Sequence, residues 1–418
     1  MVNKKKIIND PVHGFIKVPH ALLYDLMEHP YFQRLRRIKQ LGLTHLVYPG
    51  AMHTRLQHAM GAMHLMSSAV EILRSKGQVI TADESLAVHA AILLHDVGHG
   101  PFSHVLEHSL VEVSHEAISQ LIMQQLNREF KGLLDSAIAI FNDSYPKRFL
   151  HQLVSSQLDM DRLDYLKRDS FYSGVSEGVI GSDRIIKMLN VVDDKLVVES
   201  KGIYSIEKFL VARRLMYWQV YLHKTALAAE QMLVHLLKRA KYLIAQGHEL
   251  FAPPQLLFFM QRKPNIDDFY ADPNVLLNFT LLDDDDIMCS IKAWTLHPDV
   301  VLSSLAKGFV NRRLWRIHLQ NEAFDMARVK ELKAVACEAY GLKAQDADYL
   351  VFTDAITNNA YSVQDDKIEI LYKNKELKDI AKASDMLNLS VLSKTVRKHY
   401  LCYPKQIEAV LQSRVGLF

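Results

Sequence analysis

The chain contains 418 residues, with 50 lysines and arginines against 47 aspartates and glutamates, so its formal net charge is +3. Hydrophobic residues make up 49% and charged residues 23%, values that exclude long disorder, collagen-like repeats and a disulfide-stapled miniprotein. Thirteen of the 20 histidines lie between His13 and His115. Because imidazole is the commonest metal ligand and titrates near neutral pH, this excess is the first indication of a functional site.

The sequence carries no sign of a membrane span, a secretory signal or a disulfide framework. No stretch approaches the roughly 20 apolar residues that cross a bilayer, and no apolar core follows the basic start at Met1–Lys6. The three cysteines, Cys289, Cys337 and Cys402, are far apart, which disfavours disulfides and a thiolate zinc site. We therefore expect a cytoplasmic protein with no membrane partner, and the near-neutral charge gives no support for nucleic acid as its main partner.

The first 245 residues predict a helical body. A short strand is expected at Ile16–Val18, and Asp193-Asp194 predicts a turn before a second strand at Leu196–Glu199. Apolar residues at helical spacing predict helices that begin near residue 21 and then cover 54–76, 82–96, 115–129, 147–156 and 157–167. From residue 206 to 245 neither glycine nor proline interrupts the pattern, so we expect one very long helix.

The sequence changes character after Pro253-Pro254. The acidic run Asp283–Asp286 predicts either the first turn of a helix or a solvated loop. Tyr349–Phe352 and Ile368–Tyr372 predict short strands, and the last forty or so residues favour helix. We therefore predict a mainly α protein, with a helical catalytic body at residues 1–245. A smaller mixed α+β lobe at residues 246–418 is expected to serve oligomerisation or regulation.

The pair His95-Asp96 carries the strongest chemical signal. The apolar run Ala91–Leu94 precedes it and glycines follow it, so two ionisable groups are predicted at the end of a buried helix. A buried carboxylate needs a partner, and a divalent cation suits both side chains. His58 from an earlier helix and Asp161 from a later one would complete a shell that leaves positions for water and substrate. Fe, Mn, Mg, Ni, Co and Zn are all compatible with these ligands.

This order of residues resembles the HD-domain phosphohydrolase superfamily, and within it the deoxynucleoside triphosphate triphosphohydrolase branch. That branch contains the dGTPase-like proteins and the eukaryotic sterile-alpha-motif/HD-domain enzyme. Local strings around and beyond the metal ligands extend the likeness over residues 5 to 235, and few matches follow after that. The strings are Asn9–Gly14, Phe32–Gly42, His95–His104, Asp159–Asp169 and Tyr221–Lys224. The resemblance implies an HD-domain helical catalytic core.

The resemblance also implies a reaction, in which water cleaves a deoxynucleoside triphosphate into the deoxynucleoside and inorganic triphosphate. The matching metal ligands are His58, His95, Asp96 and Asp161. The matching catalytic residues of the pocket are His99, His104, His115 and Glu107. His104 or His115, supported by Glu107, is the candidate that protonates the departing 5′-oxygen, because the pKa of imidazole lies near the working pH.

The resemblance further implies which residues bind the substrate. Guanidinium groups suit phosphate oxygens, a carboxylate can accept from the 3′-hydroxyl, and an aromatic ring against C2′ would disfavour ribonucleotides. The matching positions are Arg55, Arg162 and Arg213 for the polyphosphate, Gln40 and Leu41 for the nucleoside, Tyr165 and Asp169 for the sugar, and Tyr221 against C2′.

In the eukaryotic relative, nucleotides bound between subunits assemble an active tetramer. The resemblance therefore implies a homo-oligomer, dimeric or tetrameric, and an allosteric nucleotide. The matching positions are Lys6, Asn9, Glu28, Gln33, Arg36, Arg184, Lys201, His223 and Lys224. Two positions depart from the pattern. Glu28 replaces an aspartate that recognises guanine in the relative, which weakens the implied specificity for guanine. Glu199-Ser200 replaces a basic position, which weakens the implied binding of a second triphosphate.

Two other functions stay open. Another HD-domain phosphohydrolase, a nucleotidase or a phosphodiesterase, would use the same metal chemistry, and only the product inorganic triphosphate separates it from the first reading. A nucleic-acid-binding regulatory protein is the second alternative, since Lys4–Lys6 and Arg34–Arg37 contain short basic clusters. Intact metal-ligand positions favour a hydrolase over that alternative.

Overall fold

The computed structural model describes residues 6–102, 109–358, 367–385, 396–408 and 410. Helices dominate these residues and three small sheets accompany them. The prediction of a mainly α protein with a small mixed lobe is confirmed. No helix in these ranges is both long and apolar enough to cross a bilayer.

The helices of the first 245 residues follow the predicted order. They are α1 (Ala21–Glu28), α2 (Pro30–Gln33), α3 (Arg55–Ser75), α4 (Ala82–Leu94), α5 (His115–Glu129), α6 (Asp135–Phe141), α7 (Arg148–Val154), α8 (Met160–Ser173), α9 (Ser182–Met188), α10 (Ile203–Met216) and α11 (Lys224–Ala245). The helix predicted at 157–167 is α8, which begins only at Met160. It begins there because the Asp159 side chain accepts from the Arg162 backbone N–H and caps the helix.

The predicted long helix from residue 206 to 245 is wrong as a single element. Helix α10 ends at Met216, a π-helical turn occupies Tyr217–Tyr221, and α11 begins at Lys224. The His223 side chain caps α11 by accepting from the Thr225 N–H. Such a turn needs neither glycine nor proline, so the sequence pattern carries no mark of it. It lies beside the candidate active site described below.

The second half of the chain adds shorter helices. They are α12 (Pro254–Gln261), α13 (Ile266–Ala271), α14 (Pro273–Leu281), α15 (Asp284–Trp294), α16 (Val300–Val310), α17 (Met326–Tyr340) and α18 (Ile380–Ala383). Helix α16 packs against α11 and against α15. Buried apolar side chains of both halves belong to one continuous core. The division at residue 245 stays a prediction.

The described strands form one hairpin, one sheet that combines strands from both halves of the chain, and one sheet from the second half alone. They are β1 (Ile7–Asp10), β2 (Gly14–Lys17), β3 (Leu189–Val192), β4 (Lys195–Glu199), β5 (Arg316–Gln320), β6 (Phe352–Asn358), β7 (Glu369–Leu371), β8 (Leu377–Asp379) and β9 (Val396–Tyr403). The hairpin is β1-β2, and the sheet orders are β3-β4-β7-β8 and β5-β9-β6. Strands β4 and β7 pair in parallel, with Val197 opposite Glu369, so a late segment joins an early strand pair.

Two predictions for the last part of the chain need correction. The expected strand at Tyr349–Phe352 is instead the end of a 3₁₀ turn, Ala344–Tyr349, and the strand starts only at Phe352. The last forty residues are not uniformly helical, because β9 occupies Val396–Tyr403 between β5 and β6. Pairing with distant strands outweighs the local preference there. The strand predicted at Ile368–Tyr372 is confirmed, slightly shortened, as β7.

The acidic run Asp283–Asp286 begins a helix, as one of its two predictions stated, and its first two aspartates are buried. Asp283 caps α15, and the Asp284 side chain is 1% exposed. Asp284 accepts hydrogen bonds from the backbone N–H groups of Lys39 and Phe102. The run therefore docks the second half of the chain against the segments that line the candidate active site.

Candidate active site

Three elements bring the four predicted metal ligands together. His58 lies in the first turn of α3, His95 and Asp96 follow α4 directly, and Asp161 lies in the first turn of α8. Helix α3 packs against both α4 and α8. The Asp161 Oδ1 atom is 3.0 Å from His58 Nε2 and 3.4 Å from His95 Nε2. Asp96 Oδ1 is 3.4 Å from His95 Nε2, so Asp96 adjoins the group formed by His58, His95 and Asp161.

The two imidazoles have the orientation that a metal ion requires. His58 Nδ1 is 2.8 Å from Asp164 Oδ2, and His95 Nδ1 donates to the Ile92 carbonyl at 2.7 Å. Both Nε2 atoms are buried and have no well-oriented hydrogen bond to any described residue. Because the Nδ1 partners fix the tautomer, each Nε2 can present its lone pair. The donor set fits a divalent cation.

The electrostatics of the cluster favour ionised carboxylates. Burial alone would raise the pKa of Asp96, but His99, His95 and Arg55 outweigh it and hold that pKa well below its usual range. Burial alone would lower the pKa of His58, but the neighbouring carboxylates of Asp161 and Asp164 outweigh burial and raise that pKa to about 10. These shifts show how strongly the carboxylates attract positive charge at this point.

A second group, Asp96 with His99 and His115, adjoins the first. The His99 and His115 rings stack with centroids 3.8 Å apart, and His99 Nδ1 is 3.3 Å from Asp96 Oδ1. Gly98 permits this approach, because a Cβ there would lie 2.3 Å from the His115 carbonyl oxygen. Burial and Arg55 lower the pKa of His99 to about 3, so its ring is neutral at neutral pH. Two other predicted catalytic residues, His104 and Glu107, lie outside the described residues.

A cavity of about 400 Å³ opens beside the cluster. Seven of the eight predicted substrate-binding residues line it, namely Gln40, Leu41, Arg55, Arg162, Tyr165, Asp169 and Tyr221. The eighth, Arg213, is buried on α10 with its guanidinium 5.8 Å from the ring centre of Tyr217, another lining residue. Arg55 also donates to Asp96, so the cavity and the cluster are continuous.

Arginines contribute positive charge to and beside the cavity lining. Arg55 and Arg162 line it, and Arg162 is additionally held by Asp159 at 3.2 Å. Arg213 is 7% exposed, and its Nε and Nη1 atoms have no hydrogen-bond partner among the described residues. A buried guanidinium with two unpartnered nitrogens is costly, so the surroundings of these arginines suit an anionic ligand.

The other walls are polar and aromatic. The Tyr221 hydroxyl donates to Asp169 Oδ2 at 2.8 Å, and His53 Nε2 is 2.8 Å from Asp169 Oδ1. Burial and Asp169 raise the pKa of Tyr221 well above its usual value, so the hydroxyl keeps its proton. The Oε1 atom of Gln40 is buried and has no partner in the described part of the chain. These groups could hydrogen-bond a sugar and a base.

Several residues at the site had no predicted role, namely His13, His53, Asp164, Arg168 and Tyr217. On α8, Asp164 and Arg168 follow Asp161 by three and seven residues, so helical spacing could have placed them on the same face. His13 and His53 reach their partners, Asp164 and Asp169, across more than a hundred residues of sequence. No local pattern could have indicated those contacts.

The predicted allosteric positions lie in three surface groups. These are Lys6, Asn9, Glu28, Gln33 and Arg36 on the β1–β2 hairpin and around α1–α2; Arg184 and Lys201 around α9; and His223 and Lys224 at the start of α11. The Arg36 Nε donates to Gln33 Oε1 at 2.7 Å, and the Arg184 guanidinium donates to the Lys201 carbonyl at 3.3 Å. Their common role stays a prediction.

Comparison with known proteins identifies two matching regions. The HD domain model matches residues 55–169, and the HD associated region model matches residues 180–249. The uncharacterized protein YwfO of Bacillus subtilis is 31% identical over 97% of this chain and 94% of its own length. A phosphohydrolase from Bacteroides thetaiotaomicron has a crystal structure that is 58% identical, with a TM-score of 0.93 over 96% of this chain and all of that chain.

Relatives with a named substrate class are more distant. The Dictyostelium discoideum SAMHD1 homolog, a deoxynucleoside triphosphate triphosphohydrolase, is 30% identical over 60% of this chain. The chain spans about half of that relative's length, 52%.

Proposed function

The chain belongs to the HD-domain phosphohydrolase family, and on that basis we propose that it hydrolyses deoxynucleoside triphosphates to deoxynucleosides and inorganic triphosphate. The observation that carries the proposal is the set of groups that line one cavity. The arginines lie next to the metal-ligand cluster, and the Tyr221–Asp169 pair and Gln40 line the same space. Together these groups offer partners to a triphosphate, a sugar and a base.

The arginines support a polyphosphate ligand. Arg55 contacts Asp96 of the cluster, and Arg162 follows Asp161 directly in the sequence. Phosphate oxygens held by these two guanidiniums would lie against the metal ligands. Arg213 would then gain the partners that its Nε and Nη1 atoms lack. Charge-assisted hydrogen bonds of this kind are about twice as strong as neutral ones.

The Tyr221–Asp169 pair supports a deoxyribose. One carboxylate oxygen of Asp169 contacts His53 and the other accepts from Tyr221. These two contacts fix the orientation of the carboxylate. In the proposed complex Asp169 accepts from the 3′-hydroxyl, and the Tyr221 ring occupies the space that a 2′-hydroxyl needs. A rigid aromatic wall rejects an added group by steric overlap.

Catalysis needs a nucleophile, charge neutralisation and a proton donor. A divalent cation bound by His58, His95, Asp96 and Asp161 would supply a water of lowered pKa and polarise the α-phosphate. Attack at the α-phosphorus breaks the bond to the 5′-oxygen, which takes up a proton. His99 is neutral and can orient groups by hydrogen bonding, while His115 or His104 is the proposed proton donor.

A homo-oligomer with nucleotide activation is a further part of the proposal, supported by the three surface groups of matching residues. Adding dGTP while following dATP hydrolysis and molecular mass by light scattering tests it. We expect faster hydrolysis and a larger mass. No change in either quantity contradicts activation by dGTP.

A second candidate is a nucleotidase or phosphodiesterase of the same family, because the metal ligands alone serve those reactions equally well. The three arginines favour a substrate with more than one phosphate. The decisive experiment incubates the protein, reconstituted with each candidate metal, with the four dNTPs and the four ribonucleotides, and separates the products by ion-exchange chromatography. We expect inorganic triphosphate from the deoxynucleotides.

Controls sharpen that experiment. Asp161→Ala should abolish turnover, whereas Asp183→Ala, an exposed aspartate on α9, should leave it unchanged. Release of orthophosphate or pyrophosphate in place of triphosphate supports the second candidate. Full turnover by Asp161→Ala contradicts the assignment of the metal site.

A further inference from the structure

A chain of buried hydrogen bonds runs from the N-terminal hairpin to His58. His13, in the turn between β1 and β2, places Nε2 2.6 Å from Asp164 Oδ1. The other oxygen of Asp164, Oδ2, is 2.8 Å from His58 Nδ1. The side chains of Asp164 and His58 are fully buried, and that of His13 is 2% exposed. One carboxylate therefore joins a hairpin residue to a proposed metal ligand.

An arginine and a second carboxylate complete the cluster. Arg168 donates to Asp164 from Nε at 2.8 Å and from Nη2 at 3.0 Å. Its Nη1 donates to Asp10 Oδ2, also at 2.8 Å. Asp10 Oδ1 accepts from the backbone N–H groups of Val12 and His13, which sets the conformation of the turn that carries His13. The hairpin is thus tied to Asp164 twice, through His13 and through Arg168.

The facing surface of α3 is shaped around this carboxylate. Gly61 lies three residues after His58, on the same face of the helix. A Cβ at Gly61 would lie 2.0 Å from Asp164 Oδ1 and 2.2 Å from Arg168 Nη2. Any residue with a Cβ at position 61 would overlap with these two atoms. Glycine therefore leaves the space on α3 that the Asp164 carboxylate and the Arg168 guanidinium occupy.

The two proposed histidine ligands are held in different ways. His95 Nδ1 donates to the Ile92 carbonyl, which belongs to the preceding turn of its own helix. His58 depends on Asp164, which lies on a different helix 106 residues later. The orientation of His95 therefore comes with the formation of α4. The orientation of His58 requires that α3, α8 and the hairpin be assembled.

We propose that Asp164 is the positioning residue of His58, and that His13, Asp10 and Arg168 hold Asp164 in place. The N-terminal hairpin is then a functional part of the metal centre. A carboxylate that accepts from Nδ1–H fixes the ring with Nε2 toward the cation and increases the basicity of Nε2. The inference rests on the metal-binding part of the proposed function and is independent of the substrate.

The test measures metal affinity directly on the metal-stripped full chain. The dissociation constant of Mn²⁺ by calorimetry and the absorption spectrum of bound Co²⁺ are compared in the wild type, Asp164→Asn, His13→Ala and His13→Gln. His13→Gln keeps an N–H donor toward Asp164, whereas His13→Ala removes it. His89→Gln is the matched control, since His89 is an equally buried histidine bonded to Ser85 and Ser67.

We expect Asp164→Asn to weaken Mn²⁺ binding by about 10–100-fold, and His13→Ala by about tenfold, with an altered Co²⁺ spectrum in both. His13→Gln should recover most of the affinity, and His89→Gln should bind like the wild type. If Asp164→Asn does not fold, the two His13 variants decide the question.

The inference is overturned if His13→Ala binds Mn²⁺ within twofold of the wild type with an unchanged Co²⁺ spectrum. It is equally overturned if His89→Gln loses as much affinity, or if the wild type binds neither ion. A wild type that binds metal but releases no triphosphate from deoxynucleotides refutes the proposed substrate and leaves this inference standing.

Discussion

Substitution of Gly61 by alanine offers a test in which the sign of the effect is informative. In the interior of a helix, Gly→Ala ordinarily stabilises a protein by about 1 kcal/mol. Here the new methyl group would lie 2.0 Å from Asp164 Oδ1, whereas ordinary contact begins at 3.4 Å. The carboxylate must therefore move by about 1.4 Å, away from His13 and His58, to which its hydrogen bonds measure 2.6 and 2.8 Å.

The expected cost follows from what that movement breaks. Separating a buried carboxylate from its partners costs about 3–5 kcal/mol, which outweighs the gain in helix propensity and leaves a net loss of roughly 2–4 kcal/mol. Urea unfolding of the metal-free protein, followed by circular dichroism, measures the change. Gly181→Ala is the control without steric overlap, because a Cβ there meets only the Arg184 Cβ, at 3.9 Å. Gly181 is the N-cap of α9, so this variant should lose no more than the cap preference, about 1 kcal/mol. A Gly61→Ala protein as stable as the wild type, or more so, refutes the reasoning.

The remaining predictions address the cavity and the buried histidines. Arg213→Gln should raise the KM for the triphosphate by about 10–100-fold in steady-state assays, without loss of stability, because it removes a buried charge that lacks partners. Tyr221→Ala should raise the ratio of ribonucleotide to deoxynucleotide kcat/KM by about tenfold, while Tyr221→Phe, which keeps the ring, should not. Burial lowers the pKa of His89 to about 4, so the unfolded chain, with a pKa of about 6.5, binds the proton first as the pH falls. Going from pH 7 to pH 5 should therefore cost the wild type about 2 kcal/mol more than His89→Gln, as measured by urea unfolding at both values. Equal losses in the two proteins contradict this.

Local patterns were sufficient for much of the helical body. Helix α5 has the predicted bounds, His115–Glu129, because its apolar spacing and the Ser114 cap are both local features. The order of His58, His95-Asp96 and Asp161 on successive helices likewise allowed four distant residues to be considered as one group. In the structure Asp161 lies within 3.4 Å of both histidines, and Asp96 lies 3.4 Å from His95.

Features decided by distant contacts could not be predicted. Strand β9 was expected to be helical, since only its pairing with β5 and β6 determines its conformation. The π-helical turn at Tyr217–Tyr221 contains no glycine or proline that could mark it in the sequence. The roles of His13 and Asp164 emerge only when the hairpin, α3 and α8 are assembled, because a single residue in each segment gives no repeating signal.

The parallel pairing of β4 with β7 has a consequence for the synthesis of the protein. Val197 cannot meet Glu369 until the ribosome has added 172 further residues. Until then, the backbone N–H and C=O groups on that side of β4 would be an open edge, which is a template for aggregation. We expect a fragment ending at residue 245 to be recovered mostly in inclusion bodies. Co-expression with residues 246–418 should increase its yield in the supernatant if β7 can be supplied in trans.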